Sequence, residues 1–339
     1  MTRGRTPRLL AVLALLALGA GGCARNAPLD TLRPAGPIAL EIKRLWDLVF
    51  VLAVVVFVIV EGLIVILVLR FRARKGDTTL PKQVHGNTRM EIGWTILPAL
   101  LLGALAIPTV LTIVSLAREP ADALRVNVRA QQWWWRYEYP GTGVVTANEL
   151  HIPAGRKVLL LLQSKDIIHS WWSPRLAGKQ DVVPGWTNHL TIEASEPGTY
   201  NGQCVEYCGL SHANMRLKVI AQTPADFQRW LTAQAMPLAE PTSADAMAGK
   251  KVFLGQACTG CHTIRGTAAQ GDVGPDLTHF ASRTAFAGDI FPRTDHNLRL
   301  WLTDAPGEKP GSKMPAGVAQ LGLSQNDITL LIAFLQGLR

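Results

Sequence analysis

Apolar positions along the chain fall into distinct regimes. Leu9 to Ala20 is a twelve-residue apolar stretch behind Arg3, Arg5 and Arg8, and it ends in Gly21-Gly22-Cys23. A basic start, a short apolar centre and small residues at the exit make a secretory signal, too short to cross a bilayer. Leu48 to Leu69 is then a run of 22 residues broken only by Glu61, and Ile92 to Ala117 is an uncharged run of 26. Each reaches across about 30 Å of hydrocarbon at helical rise, so a two-helix transmembrane hairpin is predicted, with helices over about 46–69 and 92–117. From Leu124 to Gln222 short runs such as LRVNVRA, KVLLLLQ, NHLTIEA and MRLKVIA alternate with Pro and Gly turns. That pattern predicts an all-β sandwich. TAQAMPLAEPTSADAMA reads as a linker, and the chain closes on the amphipathic helix ITLLIAFLQGL, packed against the first helix of its own domain. The expected divisions are a signal peptide at 1–23, an N-terminal segment with the hairpin at 24–117, a β domain at 118–230, a linker at 231–244 and an all-α domain at 245–339.

Composition sharpens this multidomain membrane architecture. Apolar residues make up 48% of the 339 positions, which excludes disorder. The formal charge of +9 is concentrated in the signal and in residues 70–91, where six basic side chains face two acidic ones. No folded segment carries a basic face, so nucleic-acid binding is excluded. The basic loop between the two apolar runs marks the cytoplasmic side, which places both termini and both exported domains outside a bacterial plasma membrane. Glu61, near the bilayer centre, must face protein and not lipid. Together with Pro98 and Pro108 inside the second span, it points to a membrane partner. Gly22-Cys23 resembles a lipoprotein box in which Cys23 is lipidated, although Ala20 stands where the box has Leu; the alternative is ordinary cleavage near Ala24.

Two constellations carry chemistry. QCVEYCGLSHANM holds Cys204, Cys208, His212 and Met215, and His169 precedes them in DIIHSWW. Thiolate, imidazole and thioether together select copper. One blue-copper ion uses a single Cys; two cysteines four apart can instead bridge two copper ions, leaving one His for each, with Met215 and a backbone carbonyl completing the spheres. The competing reading is a Cys204–Cys208 disulfide, which closes a very small loop and leaves the two His and the Met unexplained. His85, His151 and His189 belong to no ligand motif and read as surface or core histidines. Trp133, Trp134 and Trp135 in one strand point alternately to opposite faces, so at least one is expected to be exposed. The second constellation is Cys258-Thr-Gly-Cys261-His262, the attachment sequence of a c-type haem. Met314, 52 residues past His262 and the last Met of the chain, is the expected second axial ligand, with His279 and His296 as rivals.

EIGWTILPA, QQWWWRYEY, HSWW, QDVVPGW and GQCVEYCGLSHANM resemble subunit II of haem-copper cytochrome c oxidases, over about Leu45 to Thr223. GPDLTH and LRLWLTDAPGEKPGSKMP resemble small monohaem cytochromes c, and the combination is similar to the caa-type oxidases. The resemblance implies a cupredoxin sandwich bearing a dinuclear CuA centre and an α-helical cytochrome c domain bearing one covalent haem c. His169, Cys204, Cys208, His212 and Met215 would bind copper through side chains and Glu206 through its carbonyl. The Glu206 carboxylate would reach magnesium at the subunit I boundary, where Asp181 also belongs. Trp133 would be the surface aromatic that receives electrons, and Glu91 the mouth of a proton pathway into subunit I. Electrons would pass from cytochrome c through haem c and CuA to haem a of subunit I, with subunit III also in the assembly. The other readings are the electron-accepting subunit of a nitric oxide or nitrous oxide reductase, and a stand-alone membrane-anchored carrier.

Overall fold

The computed structural model describes residues 27–72, 76, 80 and 83–339; the signal segment and Cys23 lie outside the described residues. Helix α1 (Pro37–Phe71) and helix α2 (Thr88–Leu116) are each long and apolar enough to cross a membrane. α1 begins well before the predicted position. Pro37 presets its first turn, Lys43 pairs with Asp47 one turn on at 2.6 Å, and Ala39 is buried. Just before it, the Ala35 N–H donates to Arg175 O at 2.7 Å. These polar first turns rest on the exported domain, which is why an apolar run does not reveal them. Asn87 caps α2 by accepting from the Arg89 and Met90 N–H groups, and Pro98 and Pro108 lie inside the helix without ending it. Glu61 is exposed on α1, so a partner must cover it in the bilayer.

Ten strands then form two five-stranded sheets. One runs β3 (Val144–Ala147), β2 (Trp134–Tyr139), β1 (Leu124–Gln131), β5 (Val158–Ser164), β8 (Asn188–Ile192). The other runs β4 (Glu149–Pro153), β10 (Arg216–Gln222), β9 (Gly198–Cys204), β6 (His169–Trp172), β7 (Gln180–Val182). The β1/β5 and β4/β10 pairs are parallel and the rest antiparallel. Strand alternation turns Val126, Val128, Tyr137, Leu160, Trp171 and Val219 into one core between the sheets.

Helix α3 (Pro224–Ala235) occupies part of the stretch expected to begin the linker. Its start was legible: Thr223 caps Asp226 N and Pro224 takes the first turn. Trp230 of α3 stacks on His151 at 4.0 Å between ring centres, and His151 Nδ1 lies 3.1 Å from Gln222 Oε1. His151 is therefore a core histidine. Burial depresses its pKa to about 4. The folded state then binds fewer protons than the unfolded chain below pH ~6.5, so stability is lost as pH falls from about 6.5 to 4, by about 3 kcal/mol in full. Thermal melts against pH check this, and His151→Gln is expected to flatten that acid limb.

The C-terminal unit has its own core, built where helix α4 (Ala244–Gly255) crosses helix α9 (Gln325–Gly337). Short helices α5 (Cys258–Cys261), α6 (Asp295–Thr303), α7 (Ala305–Glu308) and α8 (Gly317–Leu321) lie between them. Phe253 meets Phe334 at 5.8 Å, and Ile328, Leu331 and Leu335 fill the seam. The crossing is close because position 249 is glycine: a Cβ there would lie 2.0 Å from Leu330 O. The Ser324–Asp327 capping box fixes where α9 starts.

Candidate metal centre and haem cavity

β6 and β9 are neighbours, with Trp171 opposite Cys204, so His169 and Cys204 emerge at the same end of one sheet. The chain then loops through Cys208 and a single turn at His212–Asn214 before returning as β10. Cys204 N–H donates to Met215 O at 2.9 Å and Val205 N–H to Ser170 O at 3.0 Å, pinning the loop at both ends. As a result the two sulfurs stand 3.8 Å apart. His169 Nδ1 is 3.9 Å from Cys204 Sγ, His212 Nδ1 is 3.5 Å from Cys208 Sγ, and Met215 Sδ is 3.9 Å from Cys208 Sγ. Glu206 O faces Cys204 Sγ at 3.3 Å. The donor atoms of His169, Cys204 and Cys208 all fall within 4.8 Å of one another.

This donor set fits a copper pair. Both cysteines are free. A metal at a thiolate distance of about 2.3 Å from both sulfurs would sit off the line joining them. One imidazole stands at each sulfur, as a two-metal site requires. His169 Nε2 is held by Asp166 Oδ1 at 2.9 Å, which leaves Nδ1 for a metal. Asp166 also accepts from the Gln132 and Ile167 N–H groups, and these bonds outweigh burial to keep its carboxyl below the usual range. The hydrogen bond with Cys208 lowers the Cys204 thiol, while the same bond and burial raise Cys208. Burial alone would lower His169, but its bonds to Cys204 and Asp166 prevail and raise it. Asp166 was missed in the sequence; its signal was an acid three residues ahead of a candidate ligand.

The tryptophans differ from expectation. Trp133 precedes β2 instead of lying in it, and Trp133, Trp134 and Trp135 are 7%, 8% and 0% exposed. None is a surface aromatic: the C-terminal domain covers Trp133 and Trp134, which reach the cavity wall, and Trp135 lies in the core between the sheets. Trp133 Nε1 donates to Cys208 O at 2.9 Å, and Lys309 Nζ donates to Trp133 O and Ala287 O, each at 2.7 Å. Burial lowers the Lys309 amine to about 7. The seam continues through Ser211 Oγ to Pro310 O at 2.6 Å, Gln131 Nε2 to Val273 O at 2.6 Å and Lys218 to Asp289 at 2.8 Å. Glu149 Oε1 accepts from the Thr284 and Ala285 N–H groups across it.

Behind this seam lies an apolar cavity whose wall includes Cys258, Cys261, His262 and Met314, together with Trp133 and Trp134. The wall fits a covalent haem. α5 presents the two cysteines on one turn, and His262 closes that turn with its N–H on Cys258 O. His262 Nδ1 is 2.8 Å from Pro275 O, which leaves Nε2 for iron. Burial lowers its pKa, keeping the imidazole neutral as a ligand must be. Gly274 admits the ring: a Cβ there would come within 2.5 Å of His262 Cε1. The rival histidines lie elsewhere, His279 bonded to Met236 O at 2.9 Å and His296 exposed at the start of α6; neither is in the cavity wall. Glu91 stands in the first turn of α2, exposed. His189 is paired with Glu119 at the surface.

Comparison with known proteins agrees with each part. Residues 26–112 match the cytochrome c oxidase subunit II transmembrane domain, 141–222 its periplasmic domain and 246–339 the cytochrome c family. The chain is 37% identical over 333 residues to cytochrome c oxidase subunit 2 of Alkalihalophilus pseudofirmus, covering 96% of each protein. It is 36% identical over 356 residues to the Bacillus subtilis protein of that name, covering 98% of each. Among solved structures, the periplasmic domain of subunit II of cytochrome oxidase (CoxB) of Bradyrhizobium japonicum aligns at 26% identity and TM-score 0.33, over 34% of this chain and 95% of that one. The chain therefore belongs to the cytochrome c oxidase subunit II family, as a membrane-anchored member with a cytochrome c domain fused to its C-terminus.

Proposed function

We propose that this chain is the electron-accepting subunit of a proton-pumping cytochrome c oxidase, taking electrons from cytochrome c and delivering them to subunit I, where oxygen is reduced to water. Two coppers and a covalent haem would supply reversible one-electron carriage when bound. His169, Cys204, Cys208, His212 and Met215 would hold the coppers with Glu206 O; Cys258, Cys261, His262 and Met314 would hold the haem. The observation that carries this reading is Trp133, buried between the two sites and bonded to both sides: its indole to Cys208 O, its carbonyl to Lys309.

The chain's own residues do the positioning. Asp166 fixes the His169 ring, Pro275 O fixes His262, and the seam holds the two domains so that no diffusive docking is needed between them. The Glu206 carboxylate accepts no hydrogen bond from the described residues and would serve magnesium at the subunit I boundary. α1 and α2 would pack on subunit I, with subunit III in the same assembly, in a bacterial plasma membrane with both exported domains outside. Glu91 would open a proton path: Glu91→Gln is expected to slow turnover several-fold while both metal spectra stay intact, and an unchanged rate rejects that role. The function itself is tested by purifying the membrane complex through a tag on this chain. Oxygen uptake driven by reduced cytochrome c is expected; a complex that reduces nitric or nitrous oxide instead contradicts the reading.

A further inference from the structure

The turn between β1 and β2 has only two residues, Gln132 and Trp133, because Gln131 pairs with Trp134 across it. Both turn side chains reach the same acceptor. Gln132 Nε2 donates to Cys208 O at 2.9 Å, and Trp133 Nε1 donates to that oxygen, also at 2.9 Å. A carbonyl oxygen has two lone pairs, so the two donors fill it. Gly209 leaves room for both: a Cβ there would stand 3.1 Å from Gln132 Nε2 and 3.2 Å from Trp133 Cζ2. Its φ of +107° is likewise one that glycine adopts without strain.

Gln132 goes further than Trp133 through its backbone. Its N–H donates to Asp166 Oδ2 at 2.8 Å, and Asp166 Oδ1 holds His169 Nε2 at 2.9 Å. One residue thus ties both arms of the donor set. Its side chain holds Cys208, which has His212 beside it, and its backbone holds His169 through Asp166. Gln132 also belongs to the wall of the haem cavity. We propose that Gln132 is a positioning residue of the copper pair, setting the spacing of its two ligand arms and seating the Trp133 indole on the Cys208 loop; this role rests on the copper reading above. The side-chain amide binds no metal itself. It turns the positive end of its dipole toward the Cys208 loop, which disfavours the more oxidised state of a centre held there and raises its potential.

The test uses the full chain loaded with copper and haem. Gln132→Met keeps the length of the side chain and removes its N–H, while the backbone bond to Asp166 stays. The variant is compared with the unaltered protein for copper content, copper hyperfine pattern in electron paramagnetic resonance, and copper reduction potential. The rate of electron transfer from haem to copper is followed after photoreduction of the haem. Both coppers are expected to stay, with an altered hyperfine pattern, a downward shift of the potential and a transfer rate lower by about 10-fold or more. Gln132→Asn keeps the amide on a side chain one methylene shorter, and is expected to show the same shifts. Unchanged pattern, potential and rate in Gln132→Met overturn the proposal even if the melting temperature falls, since Gln132 would then only pack. If Gln132→Met does not fold, Gln132→Asn decides between the same outcomes. Absence of a copper pair from the unaltered chain is a different result, which defeats the copper reading itself.

Discussion

Cys208→Ser is expected to empty the copper centre and stop oxidase turnover. Cys208 is the hub of the donor set: its sulfur lies 3.8 Å from Cys204 Sγ, 3.5 Å from His212 Nδ1 and 3.9 Å from Met215 Sδ. A serine oxygen is harder, rarely ionised at neutral pH, and a poor bridge for soft copper. Removing an outer-shell partner of a metal site already costs about 10–100-fold in affinity or activity, so loss of a bridging ligand should exceed about 100-fold. Copper content of the purified variant, read with cytochrome c oxidation, checks this. The Cys208 carbonyl still accepts from the Trp133 indole after the change, so the fold and the haem should survive. Full copper with full turnover would remove Cys208 from the site.

His262→Ala is expected to be nearly as severe, for a different reason. The ring stands between Pro275 O and the cavity, and no other histidine lines that wall. Without it the iron loses its proximal ligand and a low-spin Met/His spectrum cannot form. External cytochrome c should not rescue turnover, because Trp133 is 7% exposed under the C-terminal domain. Turnover with soluble cytochrome c should fall to that of the haem-free chain while the copper spectrum persists. Retention of most activity would mean that electrons reach the coppers by a face other than the covered one.

Local patterns carried most of the fold and both candidate residue clusters in the sequence. Cys204 to Met215 lie within one loop, and Cys258 to His262 within one turn, so spacing alone brings them together. His169 is distant in the chain, yet it opens a strand whose neighbour ends in Cys204, and a soft-ligand count was enough to associate them. What escaped was set by packing between domains. Strand alternation required one exposed tryptophan and the resemblance made it Trp133, but alternation gives a face, not what covers it. The early start of α1 escaped because its first turns rest on protein, where Lys43 and Asp47 interrupt no membrane run.

The central claim is a two-copper site built on paired thiolates beside a covalent haem. Electron paramagnetic resonance of the purified chain, with copper and haem counted on the same sample, tests it most directly. One unpaired electron shared over two equivalent coppers, with one haem per chain, is the expected result; a single localised copper, or Cys204 and Cys208 joined in a metal-free disulfide, would contradict it.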